Sequence, residues 1–304
     1  MASAPRVRLE PPQRLTRTVA AWEGEAGREW LAALPGLAQE YLEHWRLTPE
    51  RVQQPGGNIS MVVLVRDEDG TPAALKLGMV TEETREEHAA LAHWDGRGAV
   101  RLLRADPERG VMLLERLGGD VSLRSLPEAK AMLEAAEVVR RLWVPPPAGH
   151  AFTSLADHTA ALAEALASRR TPQLEALVDE ALALRERLVA DAPEPVLLHG
   201  DFHQGNVLSG SRVPWLAIDP KPLVGEPAYD LAWLVRDRLE TLAASPAAQA
   251  AARRRVNRLA DALDLDRDRL RGWAFFRAVA AGAWALSVGA RGDGELLLEF
   301  AAWL

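Results

Sequence analysis

Apolar residues recur along this chain with two different periods, and the switch between them divides it. Over 23–46, Trp30, Leu31, Leu34, Leu37, Tyr41, Leu42 and Trp45 fall near helical spacing, which predicts one or two amphipathic helices interrupted at Pro35-Gly36. From residue 59 the apolar runs shorten. Segments 59–66 and 72–77, joined by Asp67-Glu68-Asp69-Gly70-Thr71, read as a β-hairpin with an Asp/Gly turn. Thr81 suits the cap of a helix reaching about Trp94, and 100–103 with 111–115 reads as a second hairpin around 106–110. After Leu117-Gly118-Gly119 the pattern becomes long, Ala-rich and Leu-rich, predicting helices at about 127–143, 154–168, 173–190, 246–262 and 267–289, with one compact β insert over 196–218. The expected architecture is α+β and bilobal. It has an N-terminal lobe over 1–117 (a helical extension to about residue 46, then a small β-rich lobe), a glycine hinge near 117–119, and a larger, mostly helical C-terminal lobe over 118–304. No internal repeat is present, and a cleft between lobes is a usual place for a ligand.

Composition narrows the classes of function. With 48% hydrophobic residues, 26% charged residues and a net charge of -7, the chain reads as a soluble folded protein without bulk affinity for nucleic acid. The basic run Arg253-Arg254-Arg255 does not change this, because Asp261 and Asp264 follow it closely and no aromatic residue interleaves it; it reads as a solvated helix face. The absence of cysteine excludes disulfides, thiolate metal sites and thiol catalysis, and suits a reducing cytoplasm. The N-terminal MASAPRVRLEPP lacks the apolar core of a signal peptide, and 273–290 is Ala-rich and interrupted by Arg277, so a buried helix is expected there rather than a membrane span. The ten tryptophans are expected mostly in the core or at the interface of the lobes, and nothing calls for an obligate protein partner. Of 36 basic residues only Lys76, Lys130 and Lys221 are lysine. Each lysine therefore raises the question of whether its position needs a compact ammonium rather than a guanidinium.

The densest chemistry lies in HGDFHQGN, 199–206, directly after an apolar run. Its spacing is His199-x-Asp201, Asn206 five positions on, and Ile218-Asp219 at the end of the next apolar run. Protein kinases show the same spacing, in which the first aspartate accepts the proton of the attacking hydroxyl while the asparagine and the later aspartate bind magnesium. Phosphoryl transfer needs mainly positioning and charge neutralisation, hence hard oxygen ligands for Mg²⁺ and a carboxylate facing the hydroxyl. Such an enzyme also needs a cation over the nucleotide phosphates, and Lys76 sits inside the apolar run Ala73-Ala74-Leu75-Lys76-Leu77. A charge there requires a partner, for which Glu83, Glu86 and Glu87 are candidates and Glu87 is favoured. The segment Pro55-Gly56-Gly57-Asn58-Ile59-Ser60, one hairpin upstream, offers backbone amides to phosphates, and 111–117, including Glu115 and Leu117, falls where a kinase presents backbone groups to adenine.

On these residues, together with Gly225-Glu226-Pro227-Ala228-Tyr229-Asp230, the chain resembles the aminoglycoside phosphotransferase family, a branch of the protein-kinase-like fold. The stretches Gly56–Ser60, 93–103, 112–117 and 215–231 most resemble its streptomycin 6-phosphotransferase and hydroxyurea phosphotransferase branch, and the likeness runs from about residue 22 to at least 239. The resemblance implies an ATP- and Mg²⁺-dependent kinase acting on a hydroxyl of a streptomycin-type aminoglycoside, and so a role in antibiotic resistance. Hydroxyurea or another small hydroxyl compound is the rival acceptor. Asp201 would be the catalytic base, Asn206 and Asp219 the metal ligands, Lys76 the phosphate contact, and Asp230 and His199 supports of the loop. Glu226 and Lys221 are candidates for the acceptor or phosphate side. Gly200 stands where protein kinases have Arg, Asp219-Pro220-Lys221 stands for D-F-G, and no full G-x-G-x-x-G is present.

Two readings compete. His199-x-Asp201-x-His203 resembles part of a metallophosphoesterase site, although the rest of such a site is missing. A catalytically silent nucleotide-binding scaffold is the other, against which stands the retention of Lys76, Asp201, Asn206 and Asp219 together.

Overall fold

The computed structural model describes residues 7–304, so the reading of the extreme N-terminus falls partly on residues outside the described ones. The chain forms two compact units. The first comprises the described residues up to Val121 together with Leu208–Ile218, and the second comprises Ser122–Val207 and Asp219–Leu304.

The first unit is built on an antiparallel sheet. Its elements are α1 (Gln13–Trp22), α2 (Gly24–His44), β1 (Thr48–Val52), β2 (Ser60–Arg66), β3 (Pro72–Gly78), α3 (Glu87–Trp94), β4 (Leu102–Asp106), β5 (Val111–Glu115) and β6 (Gly118–Ser122), with sheet order β1-β2-β3-β5-β4. Strand alternation explains its core. Met61, Val63 and Val65 of β2 and Ala73, Leu75 and Leu77 of β3 join Leu15 and Val19 of α1 and Leu34, Ala38, Tyr41 and Leu42 of α2 in one buried cluster. Lys76 alternates with Leu75 and Leu77, so its side chain leaves the opposite face of β3, a central strand on which Lys76 is registered against Val62 and Met112.

Several expectations are corrected here. Helix α2 runs unbroken through Pro35, because burial of Leu34 and Ala38 on either side outweighs the one hydrogen bond that proline removes. Helix α1 was not expected. Its buried stripe is only Leu15 and Val19, too sparse for a periodic signal. The helix expected from Thr81 begins at Glu87, since the Thr84 hydroxyl accepts from the Thr81 amide (2.9 Å) and donates to the Met79 carbonyl (2.7 Å), holding the preceding residues in turns.

The second unit is mostly helical. Helices α4 (Glu128–Leu142), α5 (Leu155–Ala167), α6 (Glu175–Ala190), α7 (Pro227–Val235), α8 (Leu239–Ala243), α9 (Ala248–Leu263), α10 (Arg267–Ser287) and α11 (Arg291–Trp303) accompany a small sheet in which β11 (Leu223–Gly225) lies between β7 (Thr153–Ser154) and β8 (Val196–Leu198). Strands β9 (Val207–Ser209) and β10 (Trp215–Ala217) pair in a separate sheet with β6. Trp273, Phe276 and Val279 of α10 are buried, and no helix among the described residues is long and apolar enough to cross a membrane. Arg255 departs from the solvated-face expectation. It is buried and donates to Glu128 (2.9 Å) and to the carbonyls of Val235 (3.0 Å) and Asp237 (2.7 Å), while Arg253 and Arg254 remain exposed.

Candidate active site

In the helical unit the chain leaves β8 and enters the loop 199–206, whose backbone is clamped by two buried aspartates on or just after α7. Asp230 accepts from the amides of His199 (2.9 Å) and Gly200 (2.7 Å) and from the Trp143 indole (3.1 Å). Asp237 accepts from the Gln204 amide (2.6 Å), the Arg124 guanidinium (2.9 Å) and the Arg238 amide (2.9 Å). A loop bonded at both ends to ionised or charge-assisted partners presents its intervening side chains in a fixed direction. Burial pushes the Asp230 carboxyl upward, an effect offset by the charge of His199 and by the three groups that donate to it. Sequence reasoning named Asp230 and missed Asp237, whose only sequence signal was its position two residues beyond an apolar run.

Glycine at 200 has a steric cause. Its φ is +78°, and a Cβ there would run into the Lys221 carbonyl, while the Lys221 amide donates to the His199 carbonyl at 2.8 Å. Neither the backbone angle nor the space admits the arginine that protein kinases carry. The two histidines are internal fixtures of the loop. His199 is fully buried with Nδ1 accepting from the Asp201 amide (3.3 Å), and His203 Nδ1 accepts from the Gly205 amide (3.0 Å), capping the single turn of tight helix over Gln204–Asn206. Each of these bonds engages one ring nitrogen in holding the loop.

Asp201 and Asn206 are tied to each other, the Asn206 Nδ2 donating to the Asp201 carbonyl at 3.0 Å. That bond fixes the amide orientation and assigns Oδ1 the acceptor role a cation needs. Asp219 follows β10 at φ +55°, a left-handed conformation that aspartate tolerates better than most residues. One carboxylate and one amide oxygen match the sparse protein ligation Mg²⁺ takes when phosphates and water complete its shell. Beside this loop lies a cation that the sequence did not announce. The Arg236 guanidinium stacks on the Trp233 ring at 3.6 Å, and its Nε and Nη1 make no hydrogen bond within the protein. Burial, reinforced by Arg277, pushes its pKa down to about 9, with Asp201 among the groups that oppose the fall.

Glu226 is not available to a cationic acceptor. Its carboxylate is buried and takes Arg269 at 2.7 and 2.6 Å and the Trp273 indole at 2.5 Å, so the guanidinium it recognises is the protein's own.

In the sheet unit, Lys76 Nζ lies 2.5 Å from Glu87 Oε1, and both residues are about 95% buried. Glu83 and Glu86 lie closer to solvent in the preceding turns. Gly56, with φ +80°, and Gly57 shape the loop before β2, where Asn58 is exposed and Ser60 is buried. At the other end of the sheet, the Glu115 amide donates to the Arg101 carbonyl (3.0 Å) and its carboxylate accepts from the Arg101 amide (2.9 Å) and from Arg212 (2.8 Å). Neither of these groups of Glu115 is offered outward. The Leu117 carbonyl accepts from the Gly119 amide at 3.0 Å.

Comparison with known proteins is consistent with this geometry. Residues 44–289 match the family described as aminoglycoside/hydroxyurea antibiotic resistance kinase. The chain is 37% identical over 300 residues to a streptomycin 6-kinase of Streptomyces glaucescens, covering 97% of this chain and 95% of that one. It is 38% identical over 301 residues to a hydroxyurea phosphotransferase of Kitasatospora aureofaciens, covering 95% and 83%. Among solved structures, a thermostable mutant of aminoglycoside phosphotransferase APH(4)-Ia in ternary complex with ADP and hygromycin B aligns with TM-score 0.62 at 17% identity, over 87% of this chain and 96% of that chain. The choline kinase LicA from Streptococcus pneumoniae aligns with TM-score 0.60 at 14% identity, over 88% and 96%. Both likenesses establish a protein-kinase-like fold.

Proposed function

Because the chain belongs to the aminoglycoside/hydroxyurea antibiotic resistance kinase family, we propose that it transfers the γ-phosphoryl group of ATP to a hydroxyl of a streptomycin-type aminoglycoside. The observation that carries this reading is the 199–206 loop, clamped by Asp230 and Asp237, with Asp201 and Asn206 bonded to each other inside it.

Asp201 accepts the proton of the acceptor hydroxyl as its oxygen bonds to the γ-phosphorus; the bond from that phosphorus to the β,γ-bridging oxygen breaks and ADP leaves. Asn206 and Asp219 would hold Mg²⁺, which neutralises phosphate charge when bound. Lys76, oriented by Glu87, contacts the phosphates that remain on ADP. The backbone of Gly56, Gly57 and Asn58, leading into Ser60, covers them. Asp230 and Asp237 keep the loop from relaxing, and Lys221, whose backbone closes on Gly200 and His199, adds its charge near the phosphates.

The test is nucleotide turnover by the purified protein with Mg·ATP and streptomycin, hydroxyurea or no acceptor. Asp201→Asn serves as control and is expected to lower kcat by about 10³-fold. Streptomycin-dependent turnover that the substitution removes supports the proposal. Turnover with hydroxyurea alone would keep the mechanism and replace the acceptor; no acceptor-dependent turnover with either would sink the substrate assignment.

A further inference from the structure

The glycine loop of the sheet unit is gripped from outside the sheet. Arg14 of helix α1 lies 44 positions upstream of Asn58, yet its Nε donates to Asn58 Oδ1 at 2.7 Å. Two residues earlier, the buried Pro12 sits so close to Gly56 that a Cβ on that glycine would fall 2.6 Å from the proline Cγ. Helix α1 is itself anchored, since Leu15 and Val19 are buried against α2 and the sheet. On the loop's other flank, Gln53 Nε2 donates to Asp120 Oδ1 at 3.0 Å. The loop is therefore bonded on two sides, by α1 and by β6, and neither belongs to the five-stranded sheet that carries the loop.

A loop carrying Gly56 at φ +80° and Gly57 beside it loses more conformational freedom on ordering than any other kind of segment. If it closes over phosphates, that loss falls on nucleotide binding unless the loop is already held. We infer that α1 is a clasp on the glycine loop and that Arg14 is a positioning residue for nucleotide binding, acting through Asn58. The inference rests on the reading of this loop as the cover of the nucleotide phosphates. It assigns a role to a helix that stands outside the matched family region of 44–289. Arg14 is exposed and distant in sequence from every motif, so nothing in the pattern of the chain announced it.

Two readouts on the full chain separate the clasp from its consequence. The first is hydrogen exchange of the amides at 56–59 without nucleotide, and the second is the Kd for Mg·ATP measured by calorimetry without acceptor. Arg14→Ala is expected to speed exchange across the loop and raise the Kd about threefold, the effect of one exposed charge-assisted hydrogen bond. Asn58→Ala is expected to do the same, and the double variant to be no worse than either, because both remove one bond. Thermal unfolding within about 1 °C of the unaltered protein, as for ordinary surface changes, separates this from general loss of fold. Unchanged loop exchange in Arg14→Ala overturns the clasp. A double variant about ninefold weaker also overturns it, since Arg14 and Asn58 would then act independently. If the unaltered protein binds no Mg·ATP, the nucleotide role falls together with the phosphate-cover reading, and faster exchange in Arg14→Ala would still identify a mechanical clasp.

Discussion

The two charged residues most central to the proposed chemistry are held in opposite ways. Lys76, in the sheet unit, has its ammonium against the carboxylate of Glu87, and both side chains are buried. Asp201, in the helical unit, belongs to a loop whose backbone amides bond to two aspartates, which are themselves held by Trp143 and Arg124, while Arg238 bonds the Gln204 side chain. A buried ion pair is a brittle device, because loss of either member withdraws a compensating charge from the other in a place where water cannot replace it. A network degrades in steps, since each remaining bond still restricts the loop. The largest predicted effect therefore lies in the sheet unit. Glu87→Leu is expected to destabilise the protein by about 3 kcal/mol in urea unfolding. Adding Lys76→Met should return stability to within about 1 kcal/mol of the unaltered protein while leaving turnover abolished. A double variant as unstable as the single would show that the pair is not what couples these positions.

Within the helical unit the two braces should rank by their surroundings. Asp230 is fully buried and two of its three donors are amides of the buried His199 and Gly200, so Asp230→Ala is expected to cost about 3 kcal/mol. Asp237 is equally dry, but one partner, Arg124, keeps more than half of its side chain in water and can be resolvated when the carboxylate goes. Asp237→Ala is expected to cost about 2 kcal/mol and to lower kcat more than it raises the KM for ATP, since the Gln204–Asn206 turn loosens. Equal losses in the two variants would mean that exposure of the arginine does not soften the network.

How much of this was legible in the sequence follows from the same contrast. Lys76 stood out because lysine is rare here and its neighbours are apolar, and strand alternation then explains its face. The loop proposed to be catalytic, 199–206, was legible through spacing, and Asp230 through the motif around it. Features that depend on contacts between distant segments left no local trace. Asp237 reads as an ordinary residue at the end of a helix, Arg236 as a surface arginine, and Glu226 as a free carboxylate until Arg269, 43 positions later, closes on it. Helix α1 escaped because two buried residues suffice to anchor a helix and do not suffice to make a period. Arg255 shows the converse error, since a basic run that looks uniform contains one member turned inward by helical geometry.

The smallest effect expected concerns His203, whose ring caps the turn that carries Asn206. Burial lowers its affinity for a proton, with the nearby charges of Asp201 and Asp237 acting in the opposite sense. Its folded pKa thus lies below the ordinary value of 6.5, and the unfolded chain takes up the proton first as pH falls. Stability from this residue is complete above about pH 6.5 and declines as pH drops toward the folded pKa, at no more than about 1.4 kcal/mol per pH unit for one proton. The same proton would occupy Nδ1, which accepts from the Gly205 amide, so the cap and the neutral ring are lost together. Because the ring is only partly covered, the expected difference between pH 7.5 and 5.5 is below about 1 kcal/mol. It is read as the change in urea-unfolding free energy of the unaltered protein minus that of His203→Gln, which cannot titrate. An identical pH dependence in the two proteins would assign the cap no role in the acid sensitivity of the loop and would make the network of the helical unit indifferent to one of its members, as a redundant brace should be.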